Sequence, residues 1–278
     1  QRKKIHPQGP MFSRLIAGAW RWKLSEEMVQ ALIHTSLDCG ITTFDHADIY
    51  GDHSNEEIFG NILRKNPGLR TQMELVTKCG IKFPSAKRPA TWVKHYDTSK
   101  EHILWSVDHS LKMLATDHLD LLLIHRPDPL LNPEEVAEAF SLLQQNGKVL
   151  HVGVSNFTGP QFEMLQSYLP FPLVTNQIEV SLTHHMPLFD GTLDTLMKHR
   201  VNPMAWSPLG GGSLMTGDSH ELFKKAPAYK ATTTQMALAW LLKHPSQLFP
   251  VIGTTQVSRI RESAGAIAVN LDIQDWFE

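Results

Sequence analysis

Eight short apolar runs, each followed by a stretch of helical periodicity, constrain this 278-residue chain more than any other feature. The runs are "RLIAGA" (14–19), "TTFDHA" (42–47), "MELVTKCG" (73–80), "LDLLLIH" (119–125), "LHVGVSN" (150–156), "VTNQIEV" (174–180), "NPMAWSP" (202–208) and "FPVIGT" (249–254). Each is short enough for a strand. Many are apolar throughout, as strands covered on both faces must be.

The helical stretches carry start and stop signals. "SEEMVQALIHTSLDCG" opens on Ser25 with acids in its first turn and closes at Gly40, the expected cap, dipole and stop residues. "SKEHILWSVDHSLKML" opens on Ser99, and "NPEEVAEAFSLLQQNGK" has Asn132 as cap, Pro133 in its first turn and Gly147 at its end. "NEEIFGNILRK", "GPQFEMLQSYL", "GTLDTLMKHR", "TTTQMALAWLLKHP" and "TTQVSRIRESAGAI" complete the set.

Strict alternation of this kind gives either a doubly wound sheet or a closed barrel. No GxGxxG fingerprint is present, "LGGGSL" (209–214) has the wrong spacing for one, and Gly147-Lys148 lacks the upstream glycine of a phosphate loop. The sequence therefore predicts an α/β fold, a single (β/α)8 TIM barrel over residues 1–278, with "KKIHPQGPMF" forming an N-terminal β-hairpin across one end. The segment "IKFPSAKRPATWVKHYDTS" (81–99) is long for a plain connection and is expected to form part of a pocket wall.

Composition excludes several classes. Lys and Arg number 26 against 28 acidic residues, so nothing points to a nucleic-acid partner. No run of about 18 apolar residues offers a membrane span. Only Cys39 and Cys79 are present, outside any CxxC pattern, which suits a reducing, cytoplasmic setting. A monomer or weak oligomer is the expected state.

In barrels of this kind reactive groups gather at the carboxyl ends of the strands. There the sequence places Asp45, Lys78, His125, Ser155, Asn156, Gln177 and Ser207, with Tyr50 in the loop after the second strand. Tyrosine titrates near 10 in water, and a nearby ammonium stabilises its phenolate and lowers that value. Asp45 can hold Lys78 charged, because an unpaired buried ammonium is costly. Tyr50 could then protonate a forming alkoxide while His125 donates a hydrogen bond to the same oxygen. These groups supply a proton and no hydride, so a reduction requires a nicotinamide cofactor.

The motifs "FDHADIYG", "VTKCG", "LLLIHRPDP", "GVSNF", "NQIEV", "AWSPLGGG" and "VIGTTQVSRIRES" together resemble the aldo-keto reductases, over essentially the whole chain. The "HRPD" stretch is similar to the bacterial members nearest the potassium-channel β subunits. The resemblance implies the same (β/α)8 barrel, Tyr50 as acid, Lys78 and Asp45 as its tuning pair, and His125 as the carbonyl-orienting residue. It also implies a cofactor groove. Ser155, Asn156 and Gln177 match residues that hold the nicotinamide carboxamide, Trp206 stands where an aromatic ring stacks on it, and Gly18, Ala19 and Trp20 lie beside it. Ser207, Leu209, Gly210, Gly211 and Gly212 match the loop over the pyrophosphate. Ile252, Gly253, Thr254, Thr255, Arg259, Glu262 and Ser263 match the adenosine end. Gly253 replaces the phosphate-binding lysine of many relatives and Ser263 the usual asparagine. With Arg259 available to a 2′-phosphate, NADPH is favoured over NADH and a small-molecule carbonyl compound is the expected substrate.

Each residue also has a plain structural reading. Asp45 could pair with His46, Lys78 could sit solvated at the rim, and His125 could bond a turn. Asp45, His46, Asp48 and His53 could suggest a metal site, but their spacing does not repeat on other strands as a metal-dependent hydrolase barrel would require, so none is assigned. By alternation Cys79 faces the helices as a packed thiol. Two other functions compete: a Schiff-base aldolase using Lys78, and a β-subunit-like cofactor-binding module with vestigial activity. The resemblance further implies that residues are absent between Lys225 and Thr232 and that the carboxyl-terminal tail is short or missing.

Overall fold

The computed structural model of the chain describes residues 1–215 and 221–278. Two strands, β1 (Arg2–Lys4) and β2 (Met11–Ser13), pair antiparallel as a hairpin. Eight parallel strands then close a barrel: β3 (Ile16–Gly18), β4 (Thr43–Asp45), β5 (Glu74–Cys79), β8 (Leu119–Ile124), β9 (Val149–Ser155), β10 (Leu173–Glu179), β11 (Met204–Trp206) and β12 (Phe249–Ile252). The remaining pair, β6 (Ile81–Lys82) and β7 (His95–Tyr96), is a small antiparallel hairpin rising from the end of β5. Between the strands run α1 (Glu26–Asp38), α2 (Asn55–Lys65), α3 (Lys100–Leu114), α4 (Pro133–Gln145), α5 (Gly159–Ser167), α6 (Thr192–Lys198), α7 (Thr233–Lys243) and α8 (Val257–Ala264); α9 (Ile273–Phe277) ends the chain. No described helix is long and apolar enough to cross a membrane.

The helix starts follow from local chemistry. Ser25, Ser99 and Asn132 cap α1, α3 and α4 as their positions predict, and Thr158 and Thr232 form full capping boxes with Gln161 and Gln235. Several strands are shorter than the apolar runs that announced them. Met204–Trp206 is bounded by Pro203 and Pro208, which cannot donate to a ladder.

Alternation divides the core in two. Leu75, Cys79, Leu122, Ile124, Val152, Val154 and Ile252 face outward and pack with the helices, while Ile16, Val76, Leu121, Leu123, Val174, Met204, Phe249 and Val251 fill the barrel interior. Ile5 and Phe12 of the N-terminal hairpin join that interior cluster, so the hairpin plugs the amino end with fully buried side chains. Space inside is tight. A Cβ on Gly153 would lie 2.6 Å from Thr175 O and 2.8 Å from a Leu123 methyl. On β5 and β8 the inward file changes from apolar to polar, Val76 then Lys78 and Leu123 then His125, while on β4 both inward residues, Thr43 and Asp45, are polar.

The segment 81–99 is folded back as the β6–β7 hairpin, and its Trp92 is 86% exposed. After a single helical turn at Glu221–Lys224 the chain passes through turns over 225–230 to reach α7, with Ala226 buried and Tyr229 and Lys225 both bonded to Asp275 of α9.

Candidate active site

The carboxyl ends of β4, β5 and β8 bring together the four groups expected to act on substrate. Lys78 has no solvent exposure, and its Nζ donates at 2.8 Å to both Asp45 oxygens, at 2.8 Å to His46 O and at 3.1 Å to Tyr50 Oη. The pairing of Asp45 with His46 is thereby excluded: the His46 ring stands edge-on to Phe59 at 4.5 Å instead. The Tyr50 and His125 rings meet edge-on at 5.9 Å. The register is staggered: Asp45 lies opposite Val76 and Lys78 opposite Leu123, so the functional groups step two residues onward from β4 to β5 to β8, and the long Lys78 side chain closes the gap to Asp45.

Tyr50 is held by an unusual turn. Gly51, Asp52 and His53 have φ of 61°, 57° and 60°, three left-handed residues in succession, a conformation costly for the two that are not glycine. At Gly51 the left-handed φ is matched by a contact: a Cβ there would fall 1.8 Å from Asn55 Oδ1. The turn is pinned from outside. Ser85 Oγ donates to Asp52 Oδ1 at 2.6 Å, Lys87 Nζ to His53 O at 3.2 Å, and the Phe83 ring stacks on His53 at 5.0 Å. The long β6–β7 segment thus buttresses the tyrosine turn, a role that residues 33 positions apart could not announce in sequence.

Electrostatics at the site correct one expectation. Burial pushes the Tyr50 phenol above 10, and the Lys78 ammonium opposes this without overcoming it. Burial also works to lower Lys78, but Asp45 and Tyr50 outweigh it and the ammonium is held above its ordinary value. Burial pushes the Asp45 carboxyl up, countered by Lys78 and by a hydrogen bond from Gln177; two-oxygen contact at 2.8 Å makes the pair an ion pair. His125 is lowered well below 6.5 by burial and then by Lys78 and Arg126, so it is neutral.

The residues assigned to a cofactor groove occupy the neighbouring strand ends. Gly18 ends β3 and packs against Val251; Ala19 donates its N–H to Asp45 O at 2.9 Å, and Trp20 is 61% exposed. Ser155 donates to Gln177 O at 3.0 Å, Asn156 Nδ2 donates to Ser155 Oγ at 2.8 Å, and Trp206 Nε1 donates to Asn156 Oδ1 at 2.9 Å. A register shift between Leu173 and Asn176 changes the parity of β10. Asn176 consequently bonds Phe157 on the outer side, while Gln177 reaches Asp45 on the inner one.

Ser207 (φ 48°) leads past Leu209 into Gly210, Gly211 and Gly212, at φ of 59°, 66° and 105°. Ile252 is buried at the end of β12, and Gly253, Thr254 and Thr255 lead to α8. Trp22 Nε1 ties the loop after β3 to Thr254 O at 2.9 Å. Arg259 is exposed on the first turn of α8 and has no ion-pair partner among the described residues, Glu262 lends its carbonyl to Gln235, and Ser263 is buried on the inner side of the helix. One site cation carried no role in the sequence reading: Arg126 stands 5.5 Å over the Trp206 ring, and its place after His125 at a strand end was the available signal.

The set can hold a proton on a phenol, stabilise the phenolate it leaves, and offer a neutral imidazole beside it. Relatives with comparable architecture are known. The chain is 48% identical over 286 residues to oxidoreductase YdhF of Escherichia coli K12, covering 100% of this chain and 95% of that one. It is also 48% identical over 274 residues to 6-dehydroglucose reductase of Agrobacterium fabrum, covering 96% and 92%. The solved structure of a thermostable aldo-keto reductase in complex with the inhibitor epalrestat matches with a TM-score of 0.86 at 27% identity, covering 100% of this chain and 97% of that one. The model of the aldo/keto reductase family matches residues 14–278. With that match over the barrel and relatives at 48% identity along nearly their whole length, the chain belongs to the aldo/keto reductase family of oxidoreductases.

Proposed function

We propose that this chain reduces aldehydes and ketones to alcohols with NADPH. The observation that carries the reading is the fully buried Lys78 ammonium, fixed by Asp45 and 3.1 Å from a tyrosine hydroxyl at the mouth of the barrel. A bound nicotinamide supplies the hydride. The chain's own residues do the rest. Tyr50 is protonated at neutral pH and gives its proton from Oη to the alkoxide oxygen as charge builds there. The phenolate left behind is stabilised by Lys78, which Asp45 keeps charged and oriented. Neutral His125 is placed to bond and position the carbonyl oxygen.

The groove residues fit a dinucleotide. The half-buried Trp206 ring presents a flat apolar partner, and the Asn156 and Gln177 amides offer carboxamide partners. Beside Gly211, Gly212 and Gly253 the space where a Cβ would stand is open, which lets phosphate oxygens approach the backbone. Arg259 is free to take a 2′-phosphate. A Schiff base at Lys78 is disfavoured, because the reaction needs a neutral amine and this one is held charged.

The test is a titration of the full chain with NADPH and NADH, following tryptophan fluorescence, and then turnover of a carbonyl panel headed by sugar-derived aldehydes. The identity to 6-dehydroglucose reductase puts those first. NADPH binding about tenfold or more tighter than NADH, with turnover, supports the reading. Binding without turnover of any carbonyl would leave a cofactor-binding module instead, and binding of neither nucleotide would end the proposal.

A further inference from the structure

The amino end of the barrel, opposite Tyr50, holds a cavity of about 410 Å³ between the N-terminal hairpin, the end of α7 and the segment after α8. That volume lies within the range of small-molecule sites, roughly 300–1,000 Å³. Arg2, Lys3, Arg14 and Lys243 line it, and no carboxylate does. Its other walls are mixed: Gln1, Gln247 and Asn270 are polar, and Leu242, Ile267 and Leu271 give an apolar side.

Arg14 is the informative residue. It is 7% exposed, lies 4.9 Å over the Phe249 ring, and its side chain makes one hydrogen bond among the described residues, from Nη1 to Gln247 O at 3.2 Å. No carboxylate lies within ion-pair distance among the described residues. A guanidinium carries five N–H donors, and burying it without a counter-ion is costly. Burial pulls it down to about 10, so it stays charged at neutral pH.

The other cations differ in how far they are already engaged. Arg2 is tied to Glu74 and to Met11 O, Lys3 donates at 2.7 Å to the neutral Gln247 side chain, and exposed Lys243 has no partner among the described residues. Lys243 also complements the carbonyls ending α7. That explanation does not extend to Arg14, which sits before β3 and faces no helix end with its single bond.

We propose that this cavity binds a small organic anion, a carboxylate or phosphate monoester on a compact apolar body, with Arg14 and Lys243 on the anionic group and the Leu242–Leu271 wall on the body. Of the four cations only Arg14 is buried, and a cavity of this volume suits a small molecule rather than an extended polyanion, which would need a longer stripe of surface cations. The site is separate from the cofactor groove, which lies at the opposite strand ends.

Phenyl phosphate is the probe, titrated calorimetrically into the full chain, with inorganic phosphate and phenol as its two halves. Saturable one-to-one binding is expected, weaker for either half. Arg14→Gln should weaken it about tenfold or more, Lys243→Glu several-fold, and Arg259→Gln at the other end not at all. If Arg14→Gln does not fold by circular dichroism, the exposed Lys243→Glu decides. The proposal is overturned by absence of binding to the native chain, by binding that Lys243→Glu leaves intact, by loss confined to Arg259→Gln, or by inorganic phosphate binding as tightly as phenyl phosphate.

Discussion

Lys78 and Arg14 are both buried cations, one at each end of the same barrel, yet they are treated differently: Lys78 has no exposure, while Arg14 keeps a residual face on its cavity. Lys78 reaches two carboxylate oxygens, a carbonyl and a phenol, whereas Arg14 reaches one carbonyl and the face of a ring. A fully compensated charge is pinned, and its position can be used to hold another group, here Tyr50, to within bonding distance. An under-compensated charge retains unused donors and an electrostatic cost that an incoming anion would relieve.

The strongest way to break the contrast is at the group Lys78 serves. Tyr50→Phe should lower kcat by about 10³-fold while nucleotide affinity moves less than about twofold, because proton donation by a positioned group contributes roughly 10²–10⁴. Turnover equal to the native chain would remove Tyr50 from the mechanism. Next, Lys78→Met strands the buried Asp45 carboxylate, and the loss of stability should be about 3–5 kcal/mol in denaturant unfolding. Arg14→Met supplies the control, since it discards an uncompensated charge and leaves only one carbonyl unmet; the change should stay within about 1 kcal/mol. Equal losses at the two positions would erase the distinction.

A third buried ionisable group sharpens it. Asp48, three residues from Asp45, has no ion-pair partner among the described residues. Burial, and then Glu56, push its carboxyl from 3.8 to about 8. The folded chain therefore holds a proton there that the unfolded chain has released. Stability present below pH 3.8 is lost as pH rises through about 8. Melting temperature should fall over that window, and Asp48→Asn should flatten the decline; an unchanged slope would show that Asp48 is ionised when folded. The smallest effect concerns the buttress. Ser85→Ala removes the bond to Asp52, and kcat should fall about threefold with nucleotide affinity unchanged, the signature of a slightly misplaced Tyr50.

How much of this was legible from the chain depends on the range of each signal. The helices α1, α3 and α4 declared themselves through Ser25, Ser99 and Asn132, and the barrel through alternation, because both are local patterns. The inward file of Asp45, Lys78 and His125 followed from counting along strands. Gln177 was placed at its strand end in the same way, but the parity change that turns it toward Asp45 breaks simple alternation, and its role came only from the likeness to a family. The net pKa of Tyr50 was not legible, because burial competes with Lys78 and burial is a property of the whole fold. Nor were Ser85, Asp48 and Arg14, whose surroundings come from segments distant in sequence.

The end of the chain offers a different kind of handle. Trp240 of α7 and Trp276 of α9 lie parallel at 5.1 Å, and each indole N–H bonds the backbone carbonyl of the other residue, at 3.0 and 2.9 Å. Two rings at that spacing share their electronic excitation, so the light they absorb is handled by the pair as a single chromophore. The same terminal helix anchors Lys225 and Tyr229 through Asp275. The near-ultraviolet dichroism of this pair would therefore act as a built-in optical gauge, reading whether the last helix is seated while the other five tryptophans look elsewhere.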